Sequence, residues 1–272
     1  MSLVFAVLLG VIQGLTEFLP VSSSAHLILA RAFFGWDAEQ FGMAFDVACH
    51  VGTLMAVLVY FRSEILAIIR AIPRVGRLVG PAPDRSAWTA LLIVVGTVPA
   101  VVVGVAFGGV IEAKLRRPEV AGITLAVVAL TFFAVERYGA KRRTQDSLGV
   151  RDAFLIGCAQ AAALVPGVSR SGATIAAAMA LGMRRDESAR FVFLLGVPAI
   201  LAAAVKEGLP LVRHGLPPGE APLFAAGILS SAVVGYFTIR FFIRYVGRHS
   251  LAAFAWYRLA LAAAVLVWWA TR

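Results

Sequence analysis

Six apolar stretches, each long enough to cross a bilayer as a helix or nearly so, restrict this chain to one kind of architecture before any other feature is weighed. They run at about Phe41–Phe61, Trp88–Gly109, Val120–Val135, Phe191–Val205, Pro222–Phe242 and Leu251–Trp269, the shorter ones needing neighbouring residues or tilt. Hydrocarbon offers no water to backbone N–H and C=O groups, so such segments satisfy them internally as helices. The expected class is therefore an all-α integral membrane protein. Composition agrees: 60% of the 272 residues are hydrophobic and 15% charged, with a mean hydropathy of +0.87, far from a soluble domain. The formal net charge of +10 sits in short loops between spans, where it reports orientation, and no basic surface interleaved with aromatics is available to nucleic acid.

Two further segments, roughly Leu3–Arg31 and Ala153–Met183, are apolar but broken by Pro20 or Pro166 and carry polar groups in mid-segment. In the first, QGLTEFLPVSSSAH from Gln13 to His26, Gln13 and Glu17 are one helical turn apart and share a face. Pro20 cannot continue that helix, so a break is expected near Phe18 to Val21. Ser22, Ser23 and Ser24 then supply an N-cap for a second short helix, whose free N–H groups face the vicinity of Glu17. A hydroxyl-rich helix start inside a membrane is suited to an anion. Residues 157–174, GCAQAAALVPGVSRSGAT, repeat the device with the same Gly-x-x-Gln start, a proline, and a Val-Ser-x-Ser run. No carboxylate matches Glu17 there, but Arg170 stands between Ser169 and Ser171. The chain is thus read as a single polytopic domain, 1–272, with repeat halves at about 1–138 and 151–272. Each half holds one re-entrant hairpin and three full spans, an odd number of crossings that turns the second half upside down and brings the two breaks together near the midplane.

The loops fit that inverted topology. One side would hold Arg62, Arg70, Arg74, Arg77, Arg85, Arg137, Lys141, Arg142, Arg143, Arg151, Arg184, Arg185, Arg190, Arg240, Arg244 and Arg248. The other holds Arg31, Lys114, Arg116, Arg117, Lys206, Arg213 and Arg272. The richer side is cytoplasmic by the positive-inside rule, leaving both termini outside. Trp36, Trp88, Trp256, Trp268 and Trp269 lie near span ends, and Pro73–Pro83 and Pro210–Pro222 read as loops. Cys49 and Cys158 lack metal or redox spacing and read as small packing residues. The first apolar run has no basic flank or small-residue cleavage site and continues into Gln13 and Glu17, unlike a signal peptide.

One carboxylate, one guanidinium, many hydroxyls and an imidazole in one buried cluster suit a diphosphate. Arg170 can fork onto phosphoryl oxygens, while Ser22, Ser24, Ser169, Ser171 and Thr174 donate to the rest, and Glu17 with Gln13 can hold a divalent cation, Mg2+ or Ca2+. A diphosphate on a long polyprenyl lipid would arrive sideways from the bilayer. Asp46 and His50, i and i+4 on the first full span, either face the cavity or serve structural hydrogen bonding. Other residues also have a plainer role: Glu17 as structural partner of Arg170, His26 as a cap, Arg258 as a structural or headgroup contact, and Tyr257, Gly96–Pro99 and Gly196–Pro198 in packing and bends.

The strings GLTEFLPVSSSAH and PGVSRSGAT, with FAWYRLALA near the end, resemble the bacitracin-resistance type of undecaprenyl diphosphate phosphatase over the whole chain. That resemblance implies hydrolysis of undecaprenyl diphosphate to the monophosphate in recycling of the bacterial cell-wall lipid carrier, divalent-metal dependence, and a site in the cytoplasmic (inner) membrane open to its outer side. Residue by residue, the acidic motif falls on Gln13 and Glu17, the serine and histidine on Ser23 and His26, and the phosphate-binding arginine on Arg170. Many members carry a glutamate where this chain has Gln13, and an amide cannot act as a base, although its carbonyl oxygen can ligate metal. Two routes stay open. Ser23 attacks the terminal phosphorus with His26 or Glu17 as base, the favoured reading, or water attacks with Glu17 and metal activating it. The rival class is a polyprenyl-phosphate flippase or transporter, which inverted hairpins also serve. A homodimer is a candidate assembly.

Overall fold

The computed structural model describes residues 3–34, 42–77, 84–214 and 219–271. Trp36, the start of the first span at Phe41, residues 78–83 and 215–218 of the two long loops, and Arg272 lie outside them, as do the side chains of Arg31, Arg77 and Arg213. Among the described residues the chain is helical, with one isolated backbone bridge between Arg143 and Met183. The helices are α1 (Leu3–Thr16), α2 (Ser23–Phe34), α3 (Met43–Tyr60), α4 (Arg62–Ala71), α5 (Arg85–Leu115), α6 (Pro118–Tyr138), α7 (Val150–Ala162), α8 (Arg170–Ala180), α9 (Arg185–His214), α10 (Ala221–Val246) and α11 (Ala252–Ala270).

Five of these, α5, α6, α9, α10 and α11, are long and apolar enough to cross a membrane, and α3 supplies a sixth if counted with α4. The chain is a multi-pass membrane protein. Helix α4 is absent from the sequence reading, which took Arg62 to Arg85 as loop. It departs from α3 at an angle of 84° immediately after the fully buried Phe61, and its exposed Leu66 and Ile69 alternate with charged positions, as in an interfacial helix. The second long loop is likewise shorter than expected, since α9 continues through Pro210 to His214. Helix α5 has 31 residues, about 46 Å of rise, so it overshoots the hydrocarbon thickness. Its start is held by Asp84, whose Oδ1 accepts from the backbone N–H of Ser86 at 2.9 Å.

Lipid tails are as apolar as leucine, so close backbone approach has to stand in for the hydrophobic drive between spans. Helix α1 packs along α10 and α7 along α5 through glycines. A Cβ on Gly10 would lie 2.7 Å from the carbonyl oxygen of Gly227, and one on Gly157 2.4 Å from that of Gly96. A buried cluster of Phe18, Phe61, Phe132, Phe191 and Phe242 fills the centre. Both arms of the α1–α2 pair meet Phe45 and Phe224 in one apolar cluster through Ala6, Leu9, Leu27 and Ala30. The α7–α8 pair returns to the end where Arg143 bonds the carbonyl of Leu181 and the carboxylate of Asp152. Of the two cysteines, Cys49 is buried as expected for a packing residue, but Cys158 on α7 is exposed.

Candidate active site

The site grows out of the two breaks. Between α1 and α2, and again between α7 and α8, a serine adopts a left-handed backbone: φ is 77° at Ser22 and 72° at Ser169, positions that match in the two sequence copies. A side chain with Cβ at such an angle costs about 1–3 kcal/mol and persists only where the surroundings hold it. They do so here by reciprocal bonds. The Ser24 hydroxyl accepts from the backbone N–H of Gly167 at 3.4 Å, and the matching Ser171 hydroxyl donates to the carbonyl of Leu19 at 3.3 Å. Ser169 caps α8 by accepting from Gly172 N at 3.1 Å, and Thr124 on α6 donates to the carbonyl of Pro166 at 2.7 Å.

Arg258 of α11 completes the tie. It is 0% exposed and faces no carboxylate among the described residues. Its guanidinium instead donates to the carbonyls of Pro20 (3.2 Å), Gly167 (2.9 Å), Val168 (3.2 Å), Leu125 (3.2 Å) and Thr124 (3.4 Å). Its charge also lies over the Phe132 ring, 5.6 Å from the centroid. Five donors in a fixed plane can serve both breaks at once, which an ammonium cannot. The structural reading of this residue is the one the geometry supports.

Glu17, 6% exposed, sits at the junction. Its Oε1 accepts from Arg170 Nη2 at 2.6 Å, so the acid of the first break pairs with the base of the second. Its Oε2 accepts from the Ser23 hydroxyl at 2.8 Å and from Gln13 Nε2 at 2.8 Å, with His50 Nε2 3.4 Å away. Arg170 is anchored from the other side by donating Nη1 to the carbonyl of Gly196 at 2.8 Å. A Cβ there would lie 2.7 Å from that nitrogen, so any larger residue would push the guanidinium off this carbonyl. The hydroxyls of Ser22 and Ser24 are 3.2 Å apart, those of Ser169 and Ser171 3.3 Å apart, and Thr174 bonds back to the carbonyl of Arg170 at 2.6 Å.

The residues singled out in the two motifs therefore converge. His26 is the one directed elsewhere: its ring nitrogens reach the carbonyl of Ser22 and the hydroxyl of Tyr257, each at 2.7 Å, and its ring stacks on Tyr257. Ser23, one helical turn from it, is bonded to Glu17 instead. Three contributors went unrecognised in the sequence. Gly196 was read as a bend, Tyr257 as packing, and Arg116 only as a loop charge, although it binds Asp46 at 3.0 Å next to His50. The i, i+4 spacing of Asp46 and His50 was the available signal. For a cation, the donors are few: among the described residues no group of three or more His, Cys, Asp or Glu could hold a metal. Yet the Oε1 of Gln13, fully buried beside Glu17, has no hydrogen-bond partner, an open acceptor of the kind a cation takes.

The profile of the family described as "Bacitracin resistance protein BacA" matches residues 6–264. A protein of Rubrobacter xylanophilus named undecaprenyl-diphosphatase is 48% identical, the match covering 97% of each chain. Proteins of the same name from Geobacter metallireducens and Thermomicrobium roseum are 42% and 40% identical, over 98% and 96% of both chains. With a match of that extent laid over a site in which every element of the two motifs has a geometric place, the chain belongs to the bacitracin resistance protein BacA family.

Proposed function

We propose that this protein hydrolyses undecaprenyl diphosphate to undecaprenyl phosphate and inorganic phosphate, the activity its relatives' name states, and so recycles the cell-wall lipid carrier and confers bacitracin resistance. The observation that carries the mechanism is the Ser23 hydroxyl donating to the carboxylate of Glu17, which Arg170 holds from the other side. Arg170 binds the terminal phosphoryl oxygens; as it turns toward them, Glu17 loses part of its neutralising partner and becomes a better base. The Ser23 oxygen then forms a bond to the terminal phosphorus while the bond to the bridging oxygen breaks. The serine proton passes to Glu17, and the electron pair leaves with the lipid monophosphate. Glu17 hands that proton to the oxygen of the departing monophosphate. The regenerated carboxylate then takes a proton from water, whose oxygen attacks the phosphoserine phosphorus as the bond to Ser23 Oγ breaks; Oγ recovers the proton from Glu17 and inorganic phosphate leaves. The hydroxyls of Ser22, Ser24, Ser169, Ser171 and Thr174 and the start of α8 line the phosphate's surroundings.

A divalent cation, Mg2+ or Ca2+, fits the open Oε1 of Gln13 with Glu17, the remaining ligands coming from the diphosphate, as is usual for such ions with few carboxylates. When bound, it would neutralise the diphosphate's charge. The two broken pairs, α1–α2 and α7–α8, are read as re-entrant hairpins of an inverted repeat with halves 1–138 and 151–272; matched left-handed serines and the reciprocal Ser24 and Ser171 bonds support this. Arg143, Arg184, Arg185, Arg190 and Arg240 to Arg248 gather at one end, supporting a cytoplasmic-membrane orientation with both termini outside and the site open to the outer face. A homodimer remains part of the proposal for assembly. The transporter alternative rests on the same hairpins, but a hydroxyl bonded to a buried carboxylate serves bond cleavage, not passage.

The test is phosphate release from a polyprenyl diphosphate by the purified chain, with and without chelator, in Glu17→Ala, Arg170→Ala and Ser23→Ala. Each variant should lose at least a hundredfold in turnover while keeping wild-type helical content, and acid quench of the wild type should trap phosphate on Ser23. Solvent oxygen entering the phosphate in a single turnover with no adduct would replace serine attack by water attack. Undiminished turnover in folded Glu17→Ala and Arg170→Ala would remove the site.

A further inference from the structure

Away from the site, the end of α10 carries an arrangement that phosphatase chemistry does not use. Phe237, Arg240, Phe241 and Arg244 fall at i, i+3, i+4 and i+7, one face of the helix, and Arg248 lies in the turn just past its end. They line a cavity of about 1020 Å³ against the start of α9. Phe237 is 60% and Phe241 56% exposed, so this face is open to acyl chains; Arg240 lies between the two rings, Arg244 follows at the helix end and Arg248 in the turn beyond.

The other charges around the cavity are already matched. Asp186 is held by Arg184 at 2.8 Å, and Arg190 is bonded to Glu64 while stacking over the Phe61 ring. His249 stacks on Tyr245 and bonds its carbonyl at 3.1 Å. Among the described residues no ion pair or hydrogen bond engages the side chains of Arg240, Arg244 or Arg248. Three unneutralised guanidinium groups at one-turn spacing repel one another. A helix C-terminus favours cations only through its last turn, which accounts for Arg244 and Arg248 but not for Arg240 set between two exposed phenylalanines.

We propose that this cavity binds the phosphate headgroup of an anionic phospholipid, with Phe237 and Phe241 against the first part of its acyl chains and Arg240, Arg244 and Arg248 on the phosphate. The occupant is a lipid because the charged and apolar parts are continuous along one helix face, which a free phosphate would use only by half. The site is distinct from that of the diphosphate: it shares no residue with Glu17, Ser23 or Arg170.

The experiment is native mass spectrometry of the full chain titrated with an anionic and a zwitterionic phospholipid of identical acyl chains, and with inorganic phosphate as competitor. Arg240→Gln/Arg244→Gln/Arg248→Gln is compared with Arg137→Gln/Arg142→Gln/Arg151→Gln, which removes the same charge elsewhere among exposed arginines. Saturable anionic-lipid binding should weaken about fivefold per arginine, on the order of 100-fold in the first triple variant, and within about twofold in the second. Arg244→Gln alone should show the fivefold loss should the triple variant not fold. Equal losses in the two triple variants would mean general surface charge and overturn the site. So would equal affinity for the zwitterionic lipid, or displacement by inorganic phosphate as effective as by lipid.

Discussion

Replacing Arg258 by methionine removes a guanidinium that bonds carbonyls of both breaks, and the structure allows the cost to be worked out. Of its five acceptors, Thr124 and Leu125 lie within α6, where the next turn's N–H groups already reach their carbonyls. Pro20, Gly167 and Val168 lie in the breaks, and no backbone N–H reaches their carbonyls among the described residues. Three buried carbonyls left unsatisfied cost about 1–3 kcal/mol each. Relief of a buried, unpaired guanidinium returns several kcal/mol of that. The net expectation is a loss of about 2–5 kcal/mol in Arg258→Met. Arg258→Lys keeps the charge but reaches only one break at a time, so it should fall between. Because Pro20 is near Glu17 in the chain and Val168 near Arg170, even partial relaxation would separate the acid from the base. A misplacement of about 1 Å can cost on the order of 100-fold in rate. The assay is denaturant unfolding of the detergent-solubilised protein followed by helical signal, with phosphate release on the same samples. Wild-type stability and turnover in Arg258→Met would refute the idea that these carbonyls depend on it.

Gly157→Ala drives a Cβ to 2.4 Å from a backbone oxygen of Gly96, whereas Gly108→Ala on α5 meets nothing within 4 Å; the first should destabilise by at least about 1–3 kcal/mol and the second be neutral or stabilising by up to about 1 kcal/mol in the same unfolding assay. Gln13→Glu places a second carboxylate where an amide now donates to Glu17 at 2.8 Å, so one of the two must take a proton or a cation. Phosphate release in that variant should saturate at lower divalent-cation concentration, and an unchanged half-saturating value would count against Gln13 as a ligand. Outside the spans, the guanidinium of Arg143 at 2.6 Å holds the Asp152 carboxyl below its usual range, with the Gly149 N–H helping. A lowered folded value means stabilisation that is complete above the ordinary carboxylate pKa of about 3.9 and lost as pH falls through the folded value. Asp152→Asn should therefore melt earlier than wild type at pH 7, the difference vanishing in strong acid.

The spans were legible because their signal is local: a run of apolar residues has no other stable use. All six positions expected to span are occupied by helices, and both polar segments break between Thr16 and Ser23 and between Ala162 and Arg170. Helix α4 was hidden because charges at Arg62, Glu64 and Arg70 resemble a loop unless the apolar positions between them are given a membrane surface to face. His26 illustrates the limit within the site. Its spacing from Ser23 suggested a pair, but on α2 the ring is drawn to Tyr257, a residue far along the chain, and the serine to Glu17.

Sequence alone determined that this chain lives in a membrane, where it breaks, and which polar residues are too costly in hydrocarbon to be there without a partner. The fold decided who those partners are: Arg170 for Glu17, Glu17 for Ser23, Tyr257 for His26, and five carbonyls for Arg258. The physical reason is that desolvation cost and helix periodicity are properties of a short stretch of chain. The direction and reach of a hydrogen bond depend on where two distant stretches come to rest.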